Sequence, residues 1–327
     1  MSLDADHIVD RRRMRRKLTF WRVFALCLAA AAVVGLALSV SSPGGGLVGG
    51  TGPYIARVMV DGLIRTDRDR VEALERLGRS STARAVIVHV NSPGGTTAGS
   101  EQLHDALRRL KEKKPIVVVV DGLAASGGYI VAIAADHIVA QSSALVGSIG
   151  VLFQYPNFTE LLKTVGVKVE EIKSTPLKAA PSPFEPSSPE ARAAIESIVM
   201  DAYAWFRGLV RDNRKLNGAE LDRVTDGRVF TGRQGLELKL LDELGEEKEA
   251  IAWLAKEKGI DAKLPVRDYK LESRLSDLPF LHVAAAAVLD AVGLTSLASR
   301  IKDWGTLRAI DRLNLDGLLA LWHPSTN

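Results

Sequence analysis

A single cysteine, Cys27, stands in the 327 residues of this chain. One thiol can neither close a disulfide within the chain nor build a cysteine metal site, so both are excluded. Histidine is scarce as well, with six in all. A general basic surface is also missing, despite a formal charge of +4. Arg11, Arg12, Arg13, Arg15, Arg16 and Lys17 form one run. Without them 37 basic residues face 39 acidic ones, and nothing in the remainder suggests a nucleic-acid partner. What the chain has is apolar material: 46% of it is hydrophobic, enough for one large domain or two small ones.

The first long apolar stretch follows the basic run. No residue from Val23 to Val40 is charged. As a helix these residues would extend about 27 Å, just enough to cross a hydrocarbon core of about 30 Å. Phe20 and Trp21 stand on the basic flank, at interfacial depth. The positive-inside rule then keeps residues 1–19 in the cytoplasm and sends the rest outward. Ala37-Leu38-Ser39 loosely imitates a signal-peptide cleavage site, but the apolar segment is longer than a typical signal core. The expectation is an uncleaved anchor over 20–41, followed by a glycine-rich linker over 42–53.

From Tyr54 the pattern alternates between strand and helix. Tyr54–Val60, Ala85–Val90 and Ile116–Val120 read as strands. Asp69–Arg79 and Glu101–Lys113 carry leucines at helical spacing, and Ile138–Ala140 and Val146–Leu152 continue the β pattern. Such alternation predicts βαβ units and a parallel sheet, whose functional loops lie at the carboxyl ends of the strands.

Two turns follow strands in this way. Ala124-Ala125-Ser126-Gly127-Gly128-Tyr129 leads into an apolar segment that reads as a helix. A serine there meets the unpaired N–H groups of the first helical turn, with Gly127 the first candidate donor to a developing oxyanion. The bland reading is a serine N-cap followed by a packing turn. One strand earlier, Asn91-Ser92-Pro93-Gly94-Gly95 combines a stiff proline entry with glycines free to adopt unusual angles. Gly94 or Gly95 could present a second N–H. Sheet topology makes the two turns neighbours.

These motifs, with Val146-Gly147-Ser148-Ile149-Gly150-Val151, Gly227-Arg228-Val229-Phe230-Thr231-Gly232 and Leu241-Asp242-Glu243-Leu244-Gly245, resemble the signal peptide peptidase A (protease IV) family from about Tyr54 to Ile251. The resemblance implies the Clp protease/crotonase-like fold, an α/β spiral of βαβ units with flanking helices. It also implies a serine endopeptidase that needs no cofactor or metal, degrades remnant signal peptides after secretion and assembles into a homo-oligomer. The expected organisation is a peptidase domain over 54–265 and a tail over 266–327 that makes oligomer or membrane contacts. The domain would lie outside a bacterial inner membrane, tethered to the bilayer by the N-terminal helix. The competing reading is a catalytically inactive crotonase-like membrane scaffold or binding module.

A serine needs a base. His7, His282 and His323 fall outside the domain. His89 lies in a strand, His104 on the polar side of its helix, and His137 at the start of a strand, and none shows a carboxylate partner by sequence. The segment from Lys173 to Phe184 resembles the one that carries the family's general-base lysine, and Lys178 occupies that position; Pro181 and Ala179 depart from the family pattern. A lysine pKa of about 10.4 must fall toward about 7–8 for this work. An apolar pocket of Leu177, Ala179, Ala180 and Phe184 is compatible with that. Lys163, Lys168 and Lys173 are the competitors.

Overall fold

The computed structural model describes residues 52–271 and the backbone of Leu319–Leu321. The expected basic N-terminus, membrane segment and all but the end of the linker lie outside the described residues, as does most of the tail. Among the described residues no helix is long and apolar enough to cross a membrane.

Three strands form the centre: β1 (Tyr54–Ile64), β2 (Ala83–Thr96) and β3 (Ile116–Ala125). They pair in parallel, Val58 opposite Val88 and Val88 opposite Val118. Helices α1 (Arg68–Arg79) and α2 (Thr97–Lys111) make the two crossovers. Apart from His89, the central residues of β2 and β3 are Val and Ile because helices cover both faces of the sheet. On one face Val86, Val88, Val118 and Val120 join the main core with Leu74, Leu107 and Phe206. On the other, Ile87, Val117 and Val119 meet Ala250 and Leu254 of a late helix, Glu247–Lys258.

β3 carries two successive neighbours on its outer edge. β4 (His137–Ala140) pairs with Val117–Val120, and β5 (Leu145–Gly147) with Leu123–Ala125. The short helix α3 (Gly127–Ala132) connects β3 to β4 and is buried throughout. The β pattern of Val146–Leu152 stops early. Gly147 and Ser148 take φ of 97° and 50°, which turns the chain away from the strand direction. β6 (Val229–Thr231) closes that side antiparallel to β5, β7 (Glu243–Leu244) pairs with β4, and β8 (Val266–Asp268) pairs with β1. The sheet therefore runs past residue 265. It also takes in β9, Leu319–Leu321, antiparallel to Gly94–Thr96.

Capping is consistent with local sequence. Asp67, Thr96, Ser188 and Thr231 have extended backbones, and each side chain accepts an N–H from the first turn of its helix. Ser188 opens the long helix Pro189–Arg214 with proline in the first turn, and Thr231 opens Gly232–Glu237 with a full capping box.

Behind α3, the hydroxyl of fully buried Tyr129 donates to the carbonyl of Leu240 at 2.7 Å. Burial pushes the phenol's pKa up, so the donor proton is held at any ordinary pH. Tyr129→Phe keeps the ring but orphans that carbonyl, and should lower unfolding free energy by about 1–3 kcal/mol. Urea denaturation checks this; a midpoint equal to the parent's would mean the bond does not hold α3 in place.

Candidate active site

Ser126 stands where β3 ends and α3 begins, and it does not behave as a cap. Its φ and ψ are 54° and −118°, and its side chain makes no capping hydrogen bond. The four genuine Ser, Thr and Asp caps of this chain do the opposite on both counts. A non-glycine residue in such a region costs on the order of 1–3 kcal/mol and persists only where its surroundings hold it. Here the Ser126 N–H donates to Gly147 O at 2.8 Å, and Ser126 O accepts from Tyr129 and Ile130. The bland N-cap reading therefore fails. The residue is 1% exposed.

The neighbouring loop is built just as tightly. Register places Ser92 opposite Ala124, so the two turns are adjacent as expected. Ser92 is fully buried; its hydroxyl donates to Gly62 O at 2.6 Å and accepts from Gly94 N–H at 3.1 Å. Gly94 has φ of 104°. A Cβ on Gly95 would lie 1.8 Å from Ile64 O, and one on Gly128 2.6 Å from Ser92 O. Glycine is demanded at both places by close backbone approach. Gly127, Gly94 and Gly95 thus come to one edge of the sheet with Ser126. In the sequence, Ser92 is marked only as a small polar residue before Pro-Gly-Gly.

β1 occupies one side of β2 at Gly94 and Gly95. β9 must therefore use the other side, the one β3 vacates after Ala124. An extended segment of the chain's own tail thus lies along β2 on the side of the Ser126 turn.

The histidines are engaged elsewhere. His89 gives one ring nitrogen to Asp121 at 2.9 Å and the other to Glu247 at 2.9 Å. His137 stacks on Trp253, and its Nε2 lies 3.2 Å from Glu243. Both have carboxylate partners after all, supplied by sequence-distant residues. His104, expected on a polar face, is buried, because α2 is covered by α1 and α3 as well as by the sheet. Burial lowers its pKa, despite Asp105 beside it. None of the three hydrogen-bonds Ser126.

The segment 152–187, between β5 and the helix Pro189–Arg214, forms an arm with four lysines, of which three are taken by carboxylates. Lys163 pairs with Glu160 at 2.8 Å and Lys168 with Glu170 at 2.9 Å. Lys173 pairs with both Glu171 and Glu185, hydrogen bonds that raise its pKa and keep it charged. Lys178 has no carboxylate or hydrogen-bond partner for its ammonium among the described residues. It sits in an exposed turn, Pro176–Ala179. The expected apolar pocket is absent within one chain: Leu177 and Phe184 are 49% and 44% exposed. No hydrogen bond joins the Lys178 loop to the Ser126 turn.

A model of peptidase family S49 matches residues 108–261, and one of Clp protease matches residues 64–145. A Synechocystis sp. protein named as a protease is 36% identical over 209 residues, 63% of this chain and 75% of that one. Protease 4 of Haemophilus influenzae is 32% identical over 179 residues, 54% of this chain and 29% of its own. An Enterococcus faecium protein named as signal peptide peptidase SppA is 33% identical over 186 residues, 57% of this chain and 54% of its own.

If Ser126 is strained, Ser126→Gly should relieve it. The variant is expected to be more stable by about 1 kcal/mol, since glycine adopts such angles freely. Calorimetry should read a rise in Tm of about 2–4 °C. Ser126→Ala, which keeps a Cβ, should show no such gain. A glycine variant melting at or below the parent would refute the strain.

Proposed function

The chain belongs to peptidase family S49, the signal peptide peptidase A (protease IV) family, and from that premise we propose a membrane-anchored Ser/Lys endopeptidase that degrades remnant signal peptides. Ser126 attacks the scissile carbonyl and forms an acyl-enzyme. The N–H of Gly127, with one from the Gly94–Gly95 loop, receives the oxyanion. Lys178 accepts the hydroxyl proton and returns it to the departing amine as the C–N bond breaks. It then takes a proton from the water that cleaves the acyl ester and frees Ser126. The observation that carries this reading is the strained, buried, uncapped Ser126 beside a glycine loop that only backbone contacts can explain. An inactive scaffold would have no use for that strain.

Lys178 is supported by elimination: Lys163, Lys168 and Lys173 each meet a carboxylate, and the three described histidines are bound to acidic groups. A lysine accepts a proton only when neutral, and burial disfavours its charge. In one chain Lys178 is exposed, so the burial is assigned to a second copy. The arm carries the apolar surface for such a contact: Leu161, Val165, Val167 and Ile172 are all more than half exposed. The substrate reading is supported by β9. A Leu-Ala-Leu segment already lies extended along β2, the placement an apolar peptide would need.

Ser126→Ala and Lys178→Ala should each lower peptide hydrolysis more than about a thousandfold. A fluorophosphonate probe should label the parent at Ser126, and His89→Ala should keep measurable turnover. Co-assembled Ser126→Ala and Lys178→Ala chains should regain activity, because some contacts then pair an intact serine with an intact lysine. Background activity in proven mixed oligomers would refute the shared site; turnover in Lys178→Ala alone would refute the lysine.

A further inference from the structure

The apex residue Lys178 is carried by a loop with little packing of its own. Residues 174–180 are exposed apart from a partly covered Ala180, and a cleft of about 450 Å³ lies between the loop and the start of the helix Pro189–Arg214. Lys173, Pro176, Pro181 and Phe184 line that cleft. Apolar contacts therefore do not fix the loop. Its two ends are tied by polar bonds instead. Lys173, at the entry, reaches Glu171 at 2.8 Å and Glu185, at the exit, at 2.5 Å. Ser182, also on the exit side and 3% exposed, donates to Glu171 at 3.1 Å. Phe158 N–H donates to Pro183 O at 2.8 Å and holds the same side to the arm.

We propose that Lys173 is a positioning residue, whose ammonium bridges Glu171 and Glu185 to set the stance of the loop that presents Lys178. The inference rests on the Ser126/Lys178 reading. Its side chain is 16% exposed, against 66% and 84% for Lys163 and Lys168, which each meet one carboxylate nearby in sequence. Lys173 alone of the three joins acids on opposite sides of Lys178, the farther one twelve residues away from it. Ion pairs this open to solvent contribute little to folding. Their consequence here is geometric: freeing the loop base lets the lysine drift, and a displacement of about 1 Å can cost on the order of a hundredfold in rate.

The test uses the full chain and a soluble chromogenic peptide. Lys173→Met should lower kcat by about 10- to 100-fold, with KM within about twofold and with Tm and oligomeric state unchanged. Lys173→Arg should restore most of the rate. The exchanged pair Lys173→Glu with Glu185→Lys should outperform Lys173→Glu alone by about tenfold or more, which a generic structural role would not produce. If Lys173→Met does not assemble, Glu185→Gln, which leaves Glu171 paired, carries the same comparison. A kcat within threefold of the parent, or a loss matched by unfolding, overturns the clamp. Should Lys178→Ala be inactive while Lys173→Met is not, only the clamp fails. If Lys178→Ala retains activity, the dyad itself has failed.

Discussion

Parallel pairing of β1, β2 and β3 is the constraint on which the candidate site depends. Parallel strands joined by right-handed crossovers must all end at one edge of the sheet. The register then decides what meets there: Ser92 stands opposite Ala124, and Gly94 and Gly95 stand opposite Leu63 and Ile64. A one-residue slip would exchange inward and outward side chains along the whole strand. The valine runs of β2 and β3 are buried on both faces, so register has to be held by the ends. The tight backbone approaches at Gly95 and Gly128 do that. The same contacts that lock the sheet thus bring the Gly94–Gly95 loop to the Ser126 turn.

The strain at Ser126 follows from this lock. β3 must leave the sheet abruptly because β5 continues its edge at Leu123–Ala125 and accepts the Ser126 N–H at Gly147. The chain has one residue in which to turn into α3, and that residue is the serine. Tyr129 at the back and Gly128 against Ser92 leave the helix no room to relax. Strain, burial and orientation are therefore three results of one packing arrangement.

Much of this was legible in the sequence. Strand and helix order from Tyr54 to Ala140 follows from apolar periodicity. Strand length was less legible, because Asn91–Thr96 and Asp121–Ala125 look like turns. They stay extended only because parallel neighbours pair with them. The histidines were misjudged for a related reason. The partners of His89 and His137 lie 32 to 158 residues away in the chain, so no local pattern could reveal them. Nor could helical spacing place His104, since α2 is covered on more than one side. The apolar residues around Lys178 suggested a pocket, but sequence shows which residues are near, not whether they close over the lysine.

That last failure has a physical meaning. Ser126 is finished within one chain: buried, oriented and next to its donors. Lys178 is unfinished, its ammonium without a carboxylate partner and its apolar neighbours half open to water. The apolar arm and the lysine are incomplete in the same direction, since covering one would desolvate the other. On the Ser126/Lys178 reading proposed above, folding would supply the nucleophile and association the base, which would keep a single chain inactive until it has assembled.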